Sequence, residues 1–549
     1  MRRSPLFLVA AAFCVTAAAP LAAATPDEAS ANRVHAHVQF LASDLLEGRD
    51  TGSRGHEIAA EYVASEFLAL GLKPAGENGS WYQWVPFRRA TLAKDGTSVS
   101  ISEGGKTSSV SIDDLVVRPS LTEKQRDLSA GLVFAGYGID DKALRINDYK
   151  GVDARGKIVV VFRGTPDGID NDVAAHLTGT KDETAARHGA IGLIEISTRT
   201  PPAGRPSGLA RVAASPSVDW VDAQGRAGST PPGLRVRLSI SADMAQRLFA
   251  GAPQSLDAVR AAAAADKRFK SFALKPTLSI RSATEWEDFK SPEVVAMLPG
   301  ADPALKDQYV AMMGHLDHLG LKKDAKPGED NVYNGALDNA AGVATLLEAA
   351  RHFVDSGEAP KRSILFVIHT GEEKGLLGAD YFASHPTVPI KSIVGGVDLD
   401  MPVPLYPFTD VVAFGGGHST MGDAVREAAR EMGIGVSPDP MPEQSIFTRS
   451  DHYQFVRKGV PSILLFTGYA NGGKEKWDDF FQHRYHSVKD DLSQPILWDA
   501  AARYADYNYR IARILADSPD RPKWLQGNYF GNLFDAGGPR APAESATQP

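Results

Sequence analysis

From residue 286 to about 520 the chain alternates short apolar runs with amphipathic stretches, a pattern few folds accept. EVVAML, YVAMMG, SILFVIH, IVGGVDLD, VVAF and SILLFT are rich in Val, Ile and Leu and read as strands buried on both faces. Between several of them lie NAAGVATLLEAARHFVDSG and TMGDAVREAAREMG, with helical spacing. Strand and helix in alternation imply an α/β domain: a mixed, largely parallel sheet flanked by helices.

Two other regions precede it. VHAHVQFLASDLLEG and HEIAAEYVASEFLALGL read as amphipathic helices, with Gly71 as a C-cap. From roughly 86 to 285 the character is mainly β, in runs such as GLVFAGYGI and KIVVVFRG, separated by Gly- and Pro-rich turns such as RTPPAGRPSG. The Pro-, Gly- and Ala-rich stretch 521–549 reads as a disordered tail.

The N-terminus reads as a signal peptide over residues 1–24: Arg2 and Arg3, an apolar stretch over 5–19, then Ala22-Ala23-Ala24 as a cleavage motif. That apolar stretch is short for a span of about 20 residues, and no later one is long enough, so no stable membrane insertion is expected after cleavage. The expected location is periplasmic or secreted. Cys14 is the only cysteine and falls inside the signal, so a metal site in the mature protein must use His and carboxylates. A formal charge of -8, with no basic run or stripe, argues against nucleic acid as a partner.

In open α/β sheets functional groups gather where strands end. YVAMMG runs into His315 and Asp317; SILFVIHTG into Glu372 and Glu373; IVGGVDLD ends in Asp400. NGALDNAAG, before a helix, carries Asp338, and YHSVKDDL, beyond SILLFTG, carries His486. Imidazoles and carboxylates without thiolate suit a pair of divalent ions, zinc or another first-row metal, in a hydrolytic site. One carboxylate can bridge two ions ~3.5–4 Å apart. Asp317, two residues from His315, is placed to accept its other ring N–H. The neighbours Glu372 and Glu373 point different ways, so one can bind metal while the other addresses water. His318 reads as a supporting residue, His369 as a packed core histidine, and His452 or Tyr453 as a group that helps bind substrate or steadies its loop.

GHLDHLG, NGALDNAAG, TGEEKGLLGADYF, DLDM, SDHYQFVRKGVPSILLFTG and YHSVKDD, in that order, resemble the M28 metallopeptidases. FLASDLLEGRDTGSRGHEIAAEYVASEFLALGL is similar to the family's N-terminal helical stretch, and GLVFAGYGIDD with DYKGVDARGKIVVVFRGTP to the protease-associated (PA) domain often inserted in these enzymes. The resemblance implies a zinc-exopeptidase-like α/β domain over 25–115 and 285–520, with a mainly-β PA-type insert over 116–284. It implies two Zn2+ per chain, with Co2+ or Mn2+ able to take the same ligands: His315 and Asp400 on one, Glu373 and His486 on the other, Asp338 bridging. Asp317 would orient His315, and Glu372 would be the general base of a metal-activated water. Leu337 stands where relatives often carry a second Asp, at a position that is not a ligand. The function implied is an exported aminopeptidase acting on peptides. A carboxypeptidase or dipeptidase, with Arg449 or Lys458 holding a terminal carboxylate, is the nearest rival. A non-catalytic receptor on this fold, or an acyltransferase or cyclase acting on N-terminal glutamine, is the more distant one.

Overall fold

The computed structural model describes residues 28–200, 208–266 and 269–543. The signal segment 1–24, Cys14 within it and the last six residues lie outside the described residues. Among the described residues no helix is long and apolar enough to cross a membrane.

Four strands lie side by side and parallel at the centre, in the order Ser363–His369, Tyr309–His315, Ile393–Asp398, Ser462–Thr467. Each is buried nearly throughout, because helices cover both faces. Alternate residues serve the two sides. Val310 and Met312 join a core with the helices Ala341–Asp355 and Trp498–Asp517, whereas Ala311 and Met313 meet Phe382 and Phe455. Antiparallel strands extend both edges: Phe272–Leu298, Tyr82–Leu92 and Ser217–Trp220 on one, Asp410–Phe414 on the other. The sheet is therefore mixed with a parallel centre.

A second sheet runs in the order Lys106–Ser109, Ser98–Glu103, Phe272–Leu298, Gln125–Phe134, Ile158–Phe162, Gly192–Ile196, Val236–Ile240, Leu115–Val117. The 27-residue strand Phe272–Leu298 belongs to both sheets and joins them. Strands Ser98–Glu103 and Leu115–Val117 pair in this second sheet, so the line between the two bodies falls before residue 98 rather than at 115.

Two further expectations are corrected. The N-terminal helix spans Glu28–Leu41 rather than 34–48; the chain then tightens into a 3-10 segment, Asp44–Arg49, in which Glu47 and Gly48 are left-handed. The supposed tail is docked over 521–543: Trp524 and Phe530 are buried in the main core, and Trp524 Nε1 donates to the Gly459 carbonyl. Its two buried aromatics outweigh its Pro/Gly content.

Candidate active site

The C-terminal ends of the parallel strands bring the predicted site residues together. His315 closes its strand with the ring Nε2 facing two carboxylates, 3.3 Å from Asp400 Oδ1 and 3.4 Å from Asp338 Oδ1. On the other side His486 Nε2 lies 3.2 Å from Asp338 Oδ2 and 3.3 Å from Glu373 Oε2. Asp338 thus turns one oxygen toward each histidine. A charge-assisted hydrogen bond would be shorter, about 2.7–2.9 Å. Two atoms bound about 2.0–2.1 Å from one tetrahedral ion sit about 3.3 Å apart. All four separations match ligands that share an ion, and the N/O donor set fits zinc.

His318 behaves differently. It is fully buried, and its Nδ1 is 2.6 Å from Glu373 Oε1 and 4.0 Å from Asp338 Oδ2. The two atoms do not meet in hydrogen-bond geometry, and His318, Asp338 and Glu373 together form a group that could hold a metal ion.

Asp317 departs from its expected contact. His315 Nδ1 meets the backbone carbonyl of Asp317 at 3.0 Å, not its carboxylate. The carboxylate instead accepts from Thr51 Oγ1 at 2.9 Å and from the Glu372 backbone N–H at 3.2 Å. Two residues along a tight turn, the carbonyl is already within reach of the ring, which frees the side chain to hold the Glu372 turn. Asp317 orients the histidine through its main chain and the glutamate through its side chain.

The turn bearing Asp338 is held by residues that sequence reading passed over. Asp490, in the same block as His486, accepts from Leu337 N–H and Asp338 N–H, both at 3.0 Å. Asn339 donates to the Leu399 carbonyl and accepts from Met401 N–H, which ties this turn to the one carrying Asp400. A side chain at Gly342 would meet Asn339 Oδ1 at 1.9 Å, so only glycine lets the helix start here. Arg49, buried, donates to the carbonyls of Leu316, Asn334 and Gly335 and so clamps the His315 and Asp338 turns together. Ser450 Oγ lies 2.7 Å from Asp400 Oδ2.

Electrostatically the site is overloaded with negative charge. Burial and the neighbouring Asp338 push Glu373 up to about 8. Burial, with Glu373 and Asp400 nearby, holds Glu372 well above the carboxylate range. Burial opposes ionisation of Asp338, yet His315 and His486 hold it well below that range. Burial alone would lower His315, but Asp400 and Glu372 raise it well above an ordinary histidine. A buried cluster of four carboxylates and two imidazoles calls for cations.

Glu372, Asp338, Asp400 and His486 open onto a recess of ≈ 20 Å³. Its apolar wall is Met401, Ile446, Leu464 and Phe466, and its rim carries Arg449 and Tyr485. Tyr485 stacks on the ring of His486, centroids 3.8 Å apart. The residues weighed for substrate binding, His452 and Tyr453, do not line the recess: His452 Nδ1 pairs with Asp398 at 3.1 Å, and the Tyr453 hydroxyl pairs with His176 at 2.7 Å. His369 is a packed core histidine as expected, with its ring against Phe382 and Phe455, and it also pairs with Glu293 at 2.7 Å. Lys458 is exposed and donates to Ser384, away from the recess.

Comparison with known proteins places this geometry. Residues 293–512 match the sequence profile of peptidase family M28. Leupeptin-inactivating enzyme 1 of Streptomyces exfoliatus is 30% identical over 271 residues, 47% of this chain and 55% of that protein. A vacuolar membrane protease of Yarrowia lipolytica is 46% identical over 52 residues, 10% of this chain and 5% of that one. The chain thus spans about half or less of the length of both relatives. Among solved structures, an aminopeptidase from Aneurinibacillus sp. strain AM-1 is similar over 89% of this chain and 95% of that one, at 21% identity and a TM-score of 0.49. Residues 293–512, which contain all seven predicted site residues, belong to peptidase family M28, and the chain carries a metallopeptidase domain.

Proposed function

We propose that the protein is a dinuclear-zinc aminopeptidase that removes N-terminal residues from peptides. The observation that carries this reading is Asp338, with one oxygen directed to His315 and Asp400 and the other to His486 and Glu373, at the separations of ligands sharing an ion. His315, Asp338 and Asp400 would hold one ion; Glu373, His486 and Asp338 the other. Two such ions supply Lewis acidity to the attacking water and to the scissile carbonyl.

Glu372, on the recess, takes the proton from that water and passes it to the leaving amine. Its turn is fixed by the Asp317 carboxylate. Tyr485, whose phenol burial holds well above its ordinary range, stays protonated and is the hydrogen-bond donor at the rim for the oxyanion. The apolar wall favours an apolar first side chain. The carboxylates around the recess favour a free α-amine over a terminal carboxylate. Arg449 is the only residue of the carboxypeptidase alternative that reaches the recess, and it is exposed and engaged with Gln444. The PA-type insert and export to the periplasm or beyond belong to the same proposal; export rests on residues 1–24.

The test is metal content together with a substrate pair. Two zinc ions per chain and chelator-sensitive cleavage of leucine anilide, but not of its N-blocked form, are expected. Cleavage of N-blocked peptides with release of the C-terminal residue would move the function to a carboxypeptidase.

A further inference from the structure

A second, larger cavity of ≈ 560 Å³ lies between the two bodies. One wall is the second sheet and its loops, with Arg118, Arg126, Arg235 and Arg237; the other is peptidase-domain chain, including Lys374 and Arg457. Lys374 directly follows the Glu372-Glu373 pair. Thr448, also on the wall, directly precedes Arg449 and Ser450 of the recess. Two loops therefore have one end in the recess and the other in the cavity.

Most of the cavity's charges are already matched. Arg235 pairs with Glu123 through two bonds, Arg237 with Asp182 and Glu195, Arg457 with Glu183, and Lys374 with Asp50. Asp380 accepts from Trp220 Nε1. Two guanidiniums make no direct ion pair, although Asp182 and Glu195 act on Arg118, and Glu123 on Arg126, from beyond pairing distance. Among the described residues neither Arg118 nor Arg126 has a carboxylate within ion-pair distance. Arg126 is 4% exposed, its Nε has no partner, and its Nη1 makes one long contact, 3.5 Å, to the Arg118 carbonyl. Burial pulls Arg126 down only to about 10, so it stays charged at neutral pH. A water can satisfy the N–H, but Glu123, already bonded twice to Arg235, offsets the buried charge only from a distance, and a buried charge without a direct partner is costly. A planar oxyanion meets both needs, because the guanidinium fork matches a carboxylate.

We propose that this cavity is a carboxylate-binding subsite, in which Arg118 and Arg126 hold an anionic group of a peptide whose N-terminus lies in the recess. The inference rests on the peptidase reading above. It makes the second body a part of substrate selection, giving peptides with a free C-terminal carboxylate or an acidic residue an advantage over neutral ones.

The test compares Leu-Ala peptides of increasing length, each as free acid and as C-terminal amide, with leucine p-nitroanilide as the substrate that cannot reach the cavity. Loss of a charge-assisted hydrogen bond to a carboxylate should cost about tenfold or more in affinity. At one length the acid should show a KM about tenfold below the amide. Arg118→Ala, an exposed position, should remove that gap and leave kcat and the anilide reaction unchanged; Arg126→Lys should keep the gap only in part, with the acid and amide KM values closer together than in wild type. Equal KM for acid and amide at every length would overturn the proposal. So would succinate binding at the cavity without any acid preference, which would assign the site to a free small anion. If none of these substrates is cut, the peptidase reading fails separately. Calorimetric titration of the free-acid peptide then decides the subsite: saturable binding lost in Arg118→Ala sustains it, and no binding ends it.

Discussion

Glu372 and Asp490 act on the same site in different ways, and single substitutions separate them. Glu372 touches no predicted ion position and only moves a proton, so Glu372→Gln should keep both ions by metal analysis and lower kcat by about 10²–10⁴-fold. Asp490 touches neither ion nor substrate, yet holds two backbone N–H groups of the Asp338 turn. Asp490→Ala should weaken metal affinity by about 10–100-fold in a competition titration, while kcat at saturating zinc stays near wild type. Tyr485→Phe should lower kcat by about 10²-fold without metal loss; an unchanged kcat would remove it from the oxyanion role. Of the proposed ligands, His315, Glu373 and Asp400 were legible because each follows a recognisable apolar strand; Asp338, before a helix, and His486, beyond a strand and a helix, were marked less directly. Arg49 and Asp490 were not legible, because their contacts are to backbone atoms far along the chain, and no local pattern marks them. Asp317 was legible as a residue, but which of its groups faces His315 depends on the turn.

At the scale of elements, the N-terminal helix Glu28–Leu41 is held through one buried acid. Glu348 accepts two bonds from Arg33, at 2.9 and 2.7 Å, one from Ser30 at 2.6 Å, and pairs with His352 at 3.1 Å. Burial opposes its charge, yet Arg33, His352 and Ser30 bring Glu348 down to about 2. Burial likewise opposes His352, but Asp506 and Glu348 raise it to about 9. The two shifts have opposite consequences. Below about pH 4.5 an unfolded Glu348 takes a proton more readily than the folded one, so its stabilisation is lost as pH falls toward 2. Below about pH 6.5 the His352 contribution is complete, and it is lost as pH rises through 9. The melting temperature should decline at both ends of that range, and Glu348→Gln should flatten both declines. A variant whose two limbs match wild type would remove this pair as the cause. Helix and strand types were readable from periodicity, but the strand Phe272–Leu298 was recognised only at its EVVAML end. Its polar middle, TEWEDFKSP, lacks the apolar signature, yet it runs along Tyr82–Leu92 with Pro292 opposite Trp84.

For the whole molecule that strand matters most. It supplies rungs to both sheets, so neither can release it without exposing the other. Contacts across the two bodies add to this: His176 to Tyr453 at 2.7 Å and His418 to Asp172 at 3.2 Å. Calorimetry of the full chain should show one unfolding transition, with calorimetric and van't Hoff enthalpies in agreement. Two resolved transitions would mean that the bodies melt independently. Composition announced a change of character near residue 86 but not where the second sheet begins, because the strands that decide this pair across long sequence gaps.

The clamp formed by Arg49 has a bearing on how the molecule is made. Its guanidinium grips the turns of His315 and Asp338, and Asp490 grips the second of these from the opposite end of the chain. A polypeptide that stops before residue 486 would have four of the five proposed ligands but would lack His486 and the brace behind the bridge. If the five residues hold the ions as proposed, tight metal binding would follow the meeting of these distant turns, and the ion would seal the fold and not seed it.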